Sequence, residues 1–160
     1  MARSKGGTPA TVALERAGVS FTVRTYDHDP TTHSYGLEAA VALGVPPERV
    51  FKTLLVETGT GLGVGIVPVD RLLDLKAIAS ALGVKRATMA DPAVAERSTG
   101  YVVGGISPLG QRKALPTVLD VTARDFETIL VSGGKRGFDI ELAPAELAAL
   151  TRATFAEIAR

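Results

Sequence analysis

Helical and strand-like segments follow one another irregularly along this chain of 160 residues. The helix signals are clear, for example Thr8 before Pro9 with Gly18 after the last turn, but a varying number of strand-like segments separates one helix from the next. A doubly wound parallel sheet requires strict alternation of strand and helix, which does not occur here. We therefore expect a mixed α/β (α+β) fold with a mixed, mostly antiparallel sheet.

The predicted elements are short and closely spaced. Helices are predicted over residues 9–17, 34–43, 75–82, 93–97 and 144–151, and strands over 20–26, 50–57, 62–69, 117–121, 128–132, 138–142 and 155–159. A tight loop is predicted over residues 132–137 because Gly133 and Gly134 follow Ser132. No linker divides the chain, so residues 1–160 are predicted to form one domain, with residues 1–7 disordered.

Cysteine is absent from the sequence, which excludes a disulfide framework, a cysteine zinc site, an iron–sulfur cluster and a cysteine nucleophile. No apolar run approaches the roughly 20 residues that span a membrane. The first seven residues lack the apolar stretch of a secretory signal. These features predict a cytoplasmic protein that does not enter a membrane.

The charge of the chain is nearly balanced but unevenly distributed. The net charge is +1, yet residues 71–115 hold seven basic and three acidic side chains, and residues 116–160 hold five and seven. A basic middle region is able to meet a phosphate backbone, although a solvated surface of mixed charge explains the same pattern.

Several common catalytic motifs are not present. His28 and His33 share a polar loop with aspartates but match no metal-ligand spacing, so a solvated loop is favoured over a metal site. Ser107 is followed by Pro108 and Leu109 and therefore does not form a hydrolase nucleophile elbow. The segment 133–137 lacks the spacing and the Lys-Ser/Thr ending of a phosphate-binding Walker motif.

A lysine within an apolar strand is the first candidate for chemistry. Lys52 lies between Phe51 and Thr53 in the predicted strand 50–57, where an unpaired buried ammonium is costly. It needs a polar partner, an anion or a cavity. The alternative is a lysine on an edge strand, which protects a sheet from aggregation.

Two glycine-rich segments are the second candidate. In residues 104–107 and 132–134, glycines allow successive N–H groups to face one concavity and to hold a phosphate, carboxylate or oxyanion. Arg136 is placed to add a charge-assisted bond, and Asp139 to orient a lysine or a substrate amine. The alternatives are ordinary turns and a surface pair between Arg136 and Asp139. Tyr26 and Tyr35 are able to stack a nucleobase, or are simply core or rim residues.

Three segments resemble the signatures of the YbaK family of free-standing aminoacyl-tRNA editing proteins. They are residues 89–110 (MADPAVAERSTGYVVGGISPLG), residues 51–55 (FKTLL) and residues 131–141 (VSGGKRGFDIE). The family is related to the editing domain of bacterial prolyl-tRNA synthetases, and the resemblance is strongest to the branch that removes Cys from tRNA(Pro). It implies a barrel-like sheet surrounded by helices, with no metal and no nucleotide cofactor.

The resemblance also implies roles for individual residues. Lys52 is expected to bind the tRNA 3′ end or the ester region, and Gly104 and Gly105 to act beside the aminoacyl carbonyl. The residues expected to bind substrate are Tyr26, Tyr35, Thr53, Ile106, Ser107, Ser132, Gly133, Gly134, Arg136 and Asp139.

The expected reaction is deacylation of Cys-tRNA(Pro), in which the thiol of the substrate attacks its own carbonyl. A site with no cysteine and no usable histidine base has little means of forming a covalent enzyme intermediate. Two alternatives remain open: an Ala- or Ser-tRNA deacylase that uses a bound water, and a non-catalytic module that binds tRNA or a synthetase. The expected partners are the tRNA 3′ end and prolyl-tRNA synthetase. The sequence leaves open whether the protein is a monomer or a homodimer.

Overall fold

A side chain caps the start of the helices Pro9–Ala17, Leu75–Leu82 and Pro92–Thr99, and a glycine ends each of them. A computed structural model describes residues 7–160, and the disorder predicted for residues 1–7 falls almost entirely outside them. The first helix begins after Thr8, whose side chain accepts the N–H of Thr11, and it ends at Gly18. The helices are α1 (Pro9–Ala17), α2 (Tyr35–Leu43), α3 (Leu75–Leu82), α4 (Pro92–Thr99) and α5 (Pro144–Thr151), with 3₁₀ turns at Pro47–Arg49 and Val121–Asp125.

The strands form two sheets. They are β1 (Thr22–Thr25), β2 (Phe51–Thr58), β3 (Gly61–Pro68), β4 (Ala87–Met89), β5 (Thr117–Asp120), β6 (Ile129–Lys135), β7 (Phe138–Leu142) and β8 (Thr154–Ala156). One sheet has the order β1-β7-β6 and is antiparallel. The other has the order β4-β2-β3-β5-β8, in which β5 pairs in parallel with β3 and β8. The predicted mixed and mostly antiparallel α+β architecture is confirmed.

The sheets do not close into the barrel that the resemblance implied. Within residues 7–160 the two sheets are joined by a single parallel bridge, between Val50 and Leu130. From Phe51 to Leu55, the only ladder partner of β2 among the described residues is β3, because β4 pairs with β2 only from Val56 onward. One edge of β2 therefore faces a gap between the two sheets.

The tight loop predicted for residues 132–137 is wrong. Strand β6 continues through Lys135 with a register shift between Ser132 and Lys135, so only a short turn connects it to β7. A Cβ on Gly133 would lie 2.5 Å from the ring of Phe138, and one on Gly134 would lie 2.8 Å from Tyr101. The glycines allow this close packing within a bulged strand rather than forming the turn itself.

The main core fills the space between the sheets. Phe51 and Ile66 on one sheet pack with Ile129 and Ile140 on the other, and α1 and α5 flank them. A second cluster joins the outer face of the larger sheet to α3, and a third joins α2 to Val50 and Leu130, where the sheets meet. This arrangement places α2 beside the gap.

Candidate active site

A cavity of about 480 Å³ lies at the gap between the sheets. Strand β2 contributes one wall and the β6–β7 pair a second. The loop before α2, α2 itself, the end of β4, α4 and the loop after α4 complete the cavity. Its lining residues are Tyr26, His33, Ser34, Tyr35, Gly36, Leu37, Ala39, Val50, Phe51, Lys52, Thr53, Leu54, Leu55, Val69, Met89, Ala90, Pro92, Ala95, Val103, Gly104, Ile106, Ser132 and Asp139. A volume of this size lies within the range of small-molecule binding sites.

Most of the candidate residues come together at this cavity, although they are distant in sequence. Those in its wall are Tyr26, Tyr35, Lys52, Thr53, Gly104, Ile106, Ser132 and Asp139. Those that are not in its wall are Gly105, Ser107, Gly133, Gly134 and Arg136. The roles expected for all of them stay predictions.

Lys52 presents a positive charge to the cavity wall. It is half-buried, and burial lowers the pKa of its ammonium, while the carboxylate of Asp70 opposes that shift. Among the described residues it forms no ion pair. The interpretation as a lysine that guards an exposed edge does not fit this position, because the free edge of β2 faces the cavity.

Asp139 supplies a buried carboxyl group on the opposite wall. It is 6% exposed and lies in β7 opposite Ser132. Burial raises the pKa of this carboxyl to about 7. Burial also raises the pKa of Tyr26 to about 12, with a further contribution from the charge of Asp139. Tyr26 is therefore a neutral hydroxyl group at neutral pH. The surface pair between Asp139 and Arg136 that the sequence left open does not form.

Thr53 holds a polar atom that lacks a protein partner. Its Oγ1 is buried and forms no hydrogen bond among the described residues. Leaving a buried polar atom unpaired costs about 1–3 kcal/mol. A ligand group that donates to Oγ1 or accepts from it would recover this loss.

The two glycines of the loop after α4 have different environments. Gly105 donates its N–H to Val102 O at 2.8 Å, which closes a four-residue turn. Gly104 is the third residue of that turn and has φ of +88°. Because only this central position has a positive φ, the turn is of type II. The Gly105 N–H is thus already used within the protein, whereas the Gly104 N–H makes no hydrogen bond within residues 7–160.

The second glycine segment does not form an anion-binding loop. Gly133 O accepts the hydroxyl hydrogen of Thr8, and Gly134 donates its N–H to Ser132 Oγ. The bond from Thr8 ties β6 to the start of α1, and the bond to Ser132 lies within β6. Only Ser132 of this segment reaches the cavity.

Ser107 and Arg136 interact with the protein backbone. Ser107 is fully buried, and its Oγ accepts the N–H of Leu109. The guanidinium of Arg136 donates to Val103 O and lies 4.7 Å from the centre of the Tyr35 ring. Arg136 therefore contacts two residues that line the cavity without lining it itself.

Sequence reasoning missed the part of the wall that is formed by β4 and α4. Met89, Ala90, Pro92 and Ala95 line the cavity there. Their signal was available, since all four lie within the segment 89–110 that carries the family resemblance. Apolar side chains of this kind give no chemical hint of a site by themselves.

The two histidines occupy the loop before α2. His28 Nδ1 lies 2.7 Å from Glu38 Oε1, and its ring lies 5.7 Å from that of Tyr35. His33 is in the cavity wall. The described part of the chain contains no cluster of three or more histidine, aspartate or glutamate side chains suited to a metal ion.

Comparison with known proteins identifies the family. Residues 29–150 match a family described as "Aminoacyl-tRNA editing domain". The chain belongs to this family. The predicted enzyme class, an aminoacyl-tRNA deacylase that acts on the aminoacyl ester, is confirmed with it.

Two bacterial proteins are similar in sequence to this chain. A protein of Enterococcus faecalis, "Putative Cys-tRNA(Pro)/Cys-tRNA(Cys) deacylase EbsC", is 43% identical over 127 residues, which cover 79% of this chain and 77% of the relative. Bacillus subtilis YwhH is 32% identical over 142 residues, which cover 85% of this chain and 89% of the relative.

Solved structures share the same fold. The crystal structure of "a putative trans-editing enzyme for prolyl tRNA synthetase" superposes with a TM-score of 0.83 at 25% identity and covers 99% of both chains. In the editing domain described here, no helix within residues 7–160 is long and apolar enough to cross a membrane. The predicted cytoplasmic location stays a prediction.

Proposed function

We propose that this editing domain removes Cys from tRNA(Pro), acting in trans, with the thiol of the substrate as the nucleophile. The observation that carries the proposal is the chemistry of the cavity wall. It offers one cation, one buried carboxyl and several hydroxyl groups at positions suited to bind an aminoacyl ester. Among the described residues, neither Ser132 Oγ nor Thr53 Oγ1 hydrogen-bonds to a base, so neither is arranged as an activated nucleophile.

The carboxyl of Asp139 and the ammonium of Lys52 suit the two ends of an aminoacyl ester. In this proposal Asp139 binds the α-amino group of the substrate, since a buried carboxylate gains most from a cationic partner. Lys52 binds the ester oxygens or the terminal phosphate of the tRNA. The hydroxyl groups of Tyr26 and Ser132, with the unpartnered Thr53 Oγ1, then fix the orientation of the aminoacyl group.

The reaction requires no acyl transfer to the protein. The sulfur of the bound Cys bonds to its own carbonyl carbon, and the ester C–O bond breaks. The ribose oxygen of the tRNA leaves with a proton, and water hydrolyses the resulting thiolactone to free cysteine. Well-oriented intramolecular attack lowers the activation barrier by about 7–11 kcal/mol. Substrates without a thiol bind without being cleaved, which gives the selectivity.

A second candidate is an Ala- or Ser-tRNA deacylase that uses a bound water. The specific observation in its favour is Asp139, whose pKa of about 7 suits a general base at neutral pH. The two candidates share a fold and a cavity but differ in the nucleophile. Their substrate profiles therefore distinguish them.

Single-turnover hydrolysis of Cys-tRNA(Pro), Ala-tRNA(Pro) and Ser-tRNA(Pro) tests the proposal. We expect rapid loss of Cys alone. Lys52→Ala is expected to slow it about 100- to 1000-fold, the typical cost of losing one preorganised electrostatic contact. The control is Lys76→Ala, which removes an exposed lysine from α3 and should leave the rate unchanged.

Each other result has a defined meaning. Hydrolysis of Ala-tRNA(Pro) or Ser-tRNA(Pro) in place of Cys-tRNA(Pro) would show that water, and not a substrate thiol, is the nucleophile. Full activity of Lys52→Ala would remove Lys52 from the mechanism. Retained cleavage of an O-methylserine ester, which resembles Cys in size but lacks an ionisable thiol, would also contradict thiol attack.

A further inference from the structure

The turn that carries Gly104 is held from both sides of Val103. The N–H of Val103 donates to Glu96 Oε2 of α4 at 2.8 Å. Its carbonyl oxygen accepts two hydrogen bonds from Arg136, from Nε at 2.9 Å and from Nη2 at 2.6 Å. The carboxylate of Glu96 and the guanidinium of Arg136 therefore bind the N–H and the C=O of the same residue, Val103.

Arg136 binds the peptide group between Val103 and Gly104, and the orientation of this central peptide distinguishes type I from type II turns. Val103 and Gly104 are the two central residues of the Val102–Gly105 turn. Between the two turn types, ψ of the second residue and φ of the third each change by roughly 150–170°, which flips the peptide between them. Fixing the Val103 carbonyl therefore fixes this peptide in its type II orientation.

The same contact sets the direction of the Gly104 N–H. The peptide bond between Val103 and Gly104 is trans, so its C=O and N–H point in opposite directions. The carbonyl points to Arg136, which is outside the cavity, while Val103 and Gly104 are in the cavity wall. The N–H, which is unpaired within residues 7–160, accordingly points away from Arg136.

Tyr35 and Arg136 pack closely against the backbone of Gly104. A Cβ on Gly104 would lie 2.8 Å from the Tyr35 ring and 2.9 Å from Arg136 Nε. The guanidinium lies 4.7 Å from the centre of that same ring, within the range of a cation–π contact. Arg136, Tyr35 and the turn thus form one packed unit at the edge of the cavity.

We infer that Arg136 is a positioning residue, which locks the Val103–Gly104 peptide so that the Gly104 N–H is presented to the carbonyl oxygen of the substrate ester. This inference rests on the proposed function. It replaces the expected substrate contact of Arg136 with an action through the backbone. A guanidinium on the carbonyl also polarises the peptide and strengthens its N–H as a donor.

Steady-state hydrolysis of Cys-tRNA(Pro) by Arg136→Gln tests the inference. We expect kcat to fall about 10- to 100-fold, less than the full loss of an oxyanion donor, with KM changed by less than about twofold at every salt concentration. Arg136→Lys should recover only part of kcat, because an ammonium does not supply the planar fork of donors. The control is Lys135→Gln, which removes the same charge from the adjacent exposed position and should leave kcat unchanged.

A second measurement reports the turn without activity. A type II turn brings Val103 Hα close to the Gly104 amide hydrogen, so a strong nuclear Overhauser effect between them is expected in the wild type and in Lys135→Gln. This Overhauser effect should weaken in Arg136→Gln.

The kinetic test has an outcome that would overturn the inference. If Arg136→Gln raises KM with unchanged kcat, and this rise in KM disappears in high salt, Arg136 contacts a tRNA phosphate directly. If the wild type cleaves no ester, the proposed function fails, and the Overhauser comparison alone decides whether Arg136 locks the turn.

Discussion

At the scale of single residues, Asp139 links the stability of the protein to the site. Burial raises the pKa of its carboxyl from 3.8 to about 7. Between pH 3.8 and about pH 7, the Asp139 carboxyl therefore holds its proton more often in the folded protein than in the unfolded chain. The contribution of Asp139 to stability is therefore fully present below about pH 4, is lost as the pH rises toward 7, and stays constant above that.

The prediction follows from that sign. Asp139→Asn should remove this pH dependence, so its free energy of unfolding relative to wild type should rise between pH 4 and pH 7 by at most about 4 kcal/mol and then level off. Urea unfolding at a series of pH values measures the difference. Asp125→Asn, at an exposed position, should run parallel to the wild type. Parallel curves for Asp139→Asn as well would show that its carboxyl titrates normally.

At the scale of elements, capping chemistry made the helices predictable. Thr8 and Asp74 cap α1 and α3 through side-chain bonds that depend only on neighbouring residues. Strand β4 was missed because it has three residues and forms only by pairing with the end of β2. Glycines 133 and 134 suggested a turn, yet β6 continues through both, with the ring of Phe138 close to Gly133 and that of Tyr101 close to Gly134.

The candidate site was likewise predictable from the sequence only in part. Lys52 in an apolar strand and the segment 89–110 were visible in the sequence. The partner of Arg136 was not, since it is a backbone carbonyl 33 residues away. Nor did the sequence indicate that Gly105 closes a turn while Gly104 leaves its N–H unpaired. Side-chain chemistry is written in the sequence, whereas the direction of a peptide group is set by packing.

Helix α1 offers a test of the link between capping and the sheet. Thr8 is 8% exposed, accepts the Thr11 N–H and donates its hydroxyl hydrogen to Gly133 O of β6. Thr8→Ala should lower the free energy of unfolding by about 1–2 kcal/mol, measured in urea. Thr8→Ser keeps the hydroxyl group and should lose far less. Equal losses in both variants would assign the effect to the methyl group, which packs close to Gly134.

At the scale of the whole molecule, the site exists because the two sheets meet without closing. The bridge between Val50 and Leu130 holds the sheets together, and the free edge of β2 beyond it forms the cavity wall. Closure into a continuous barrel would pair that edge and fill the space with ladder hydrogen bonds. The open junction thus supplies a cavity beside a packed core, while α2 and α4 complete its sides.

Charge at this same scale sets how the tRNA reaches the cavity. The net charge is only +1, with seven basic and three acidic residues in 71–115. Such a surface neutralises few phosphates. We therefore expect weak binding of the isolated protein to tRNA, with a slope of log K against log salt of about −2 to −4. Each phosphate contact contributes roughly −0.7 to −0.9 to that slope, so the expected value corresponds to only a few contacts.

Weak and sequence-independent contacts cannot select one tRNA. We therefore expect a partner to supply the selectivity for tRNA(Pro), and we propose that this partner is prolyl-tRNA synthetase. The isolated protein should deacylate Cys-tRNA(Pro) and Cys-tRNA(Cys) at rates within about tenfold of each other at physiological salt, since phosphate contacts carry no sequence information. Adding the synthetase should raise the rate for Cys-tRNA(Pro) alone. An unrelated synthetase is the control. Full selectivity for tRNA(Pro) by the isolated protein would place recognition of the tRNA on this chain and remove the need for a partner.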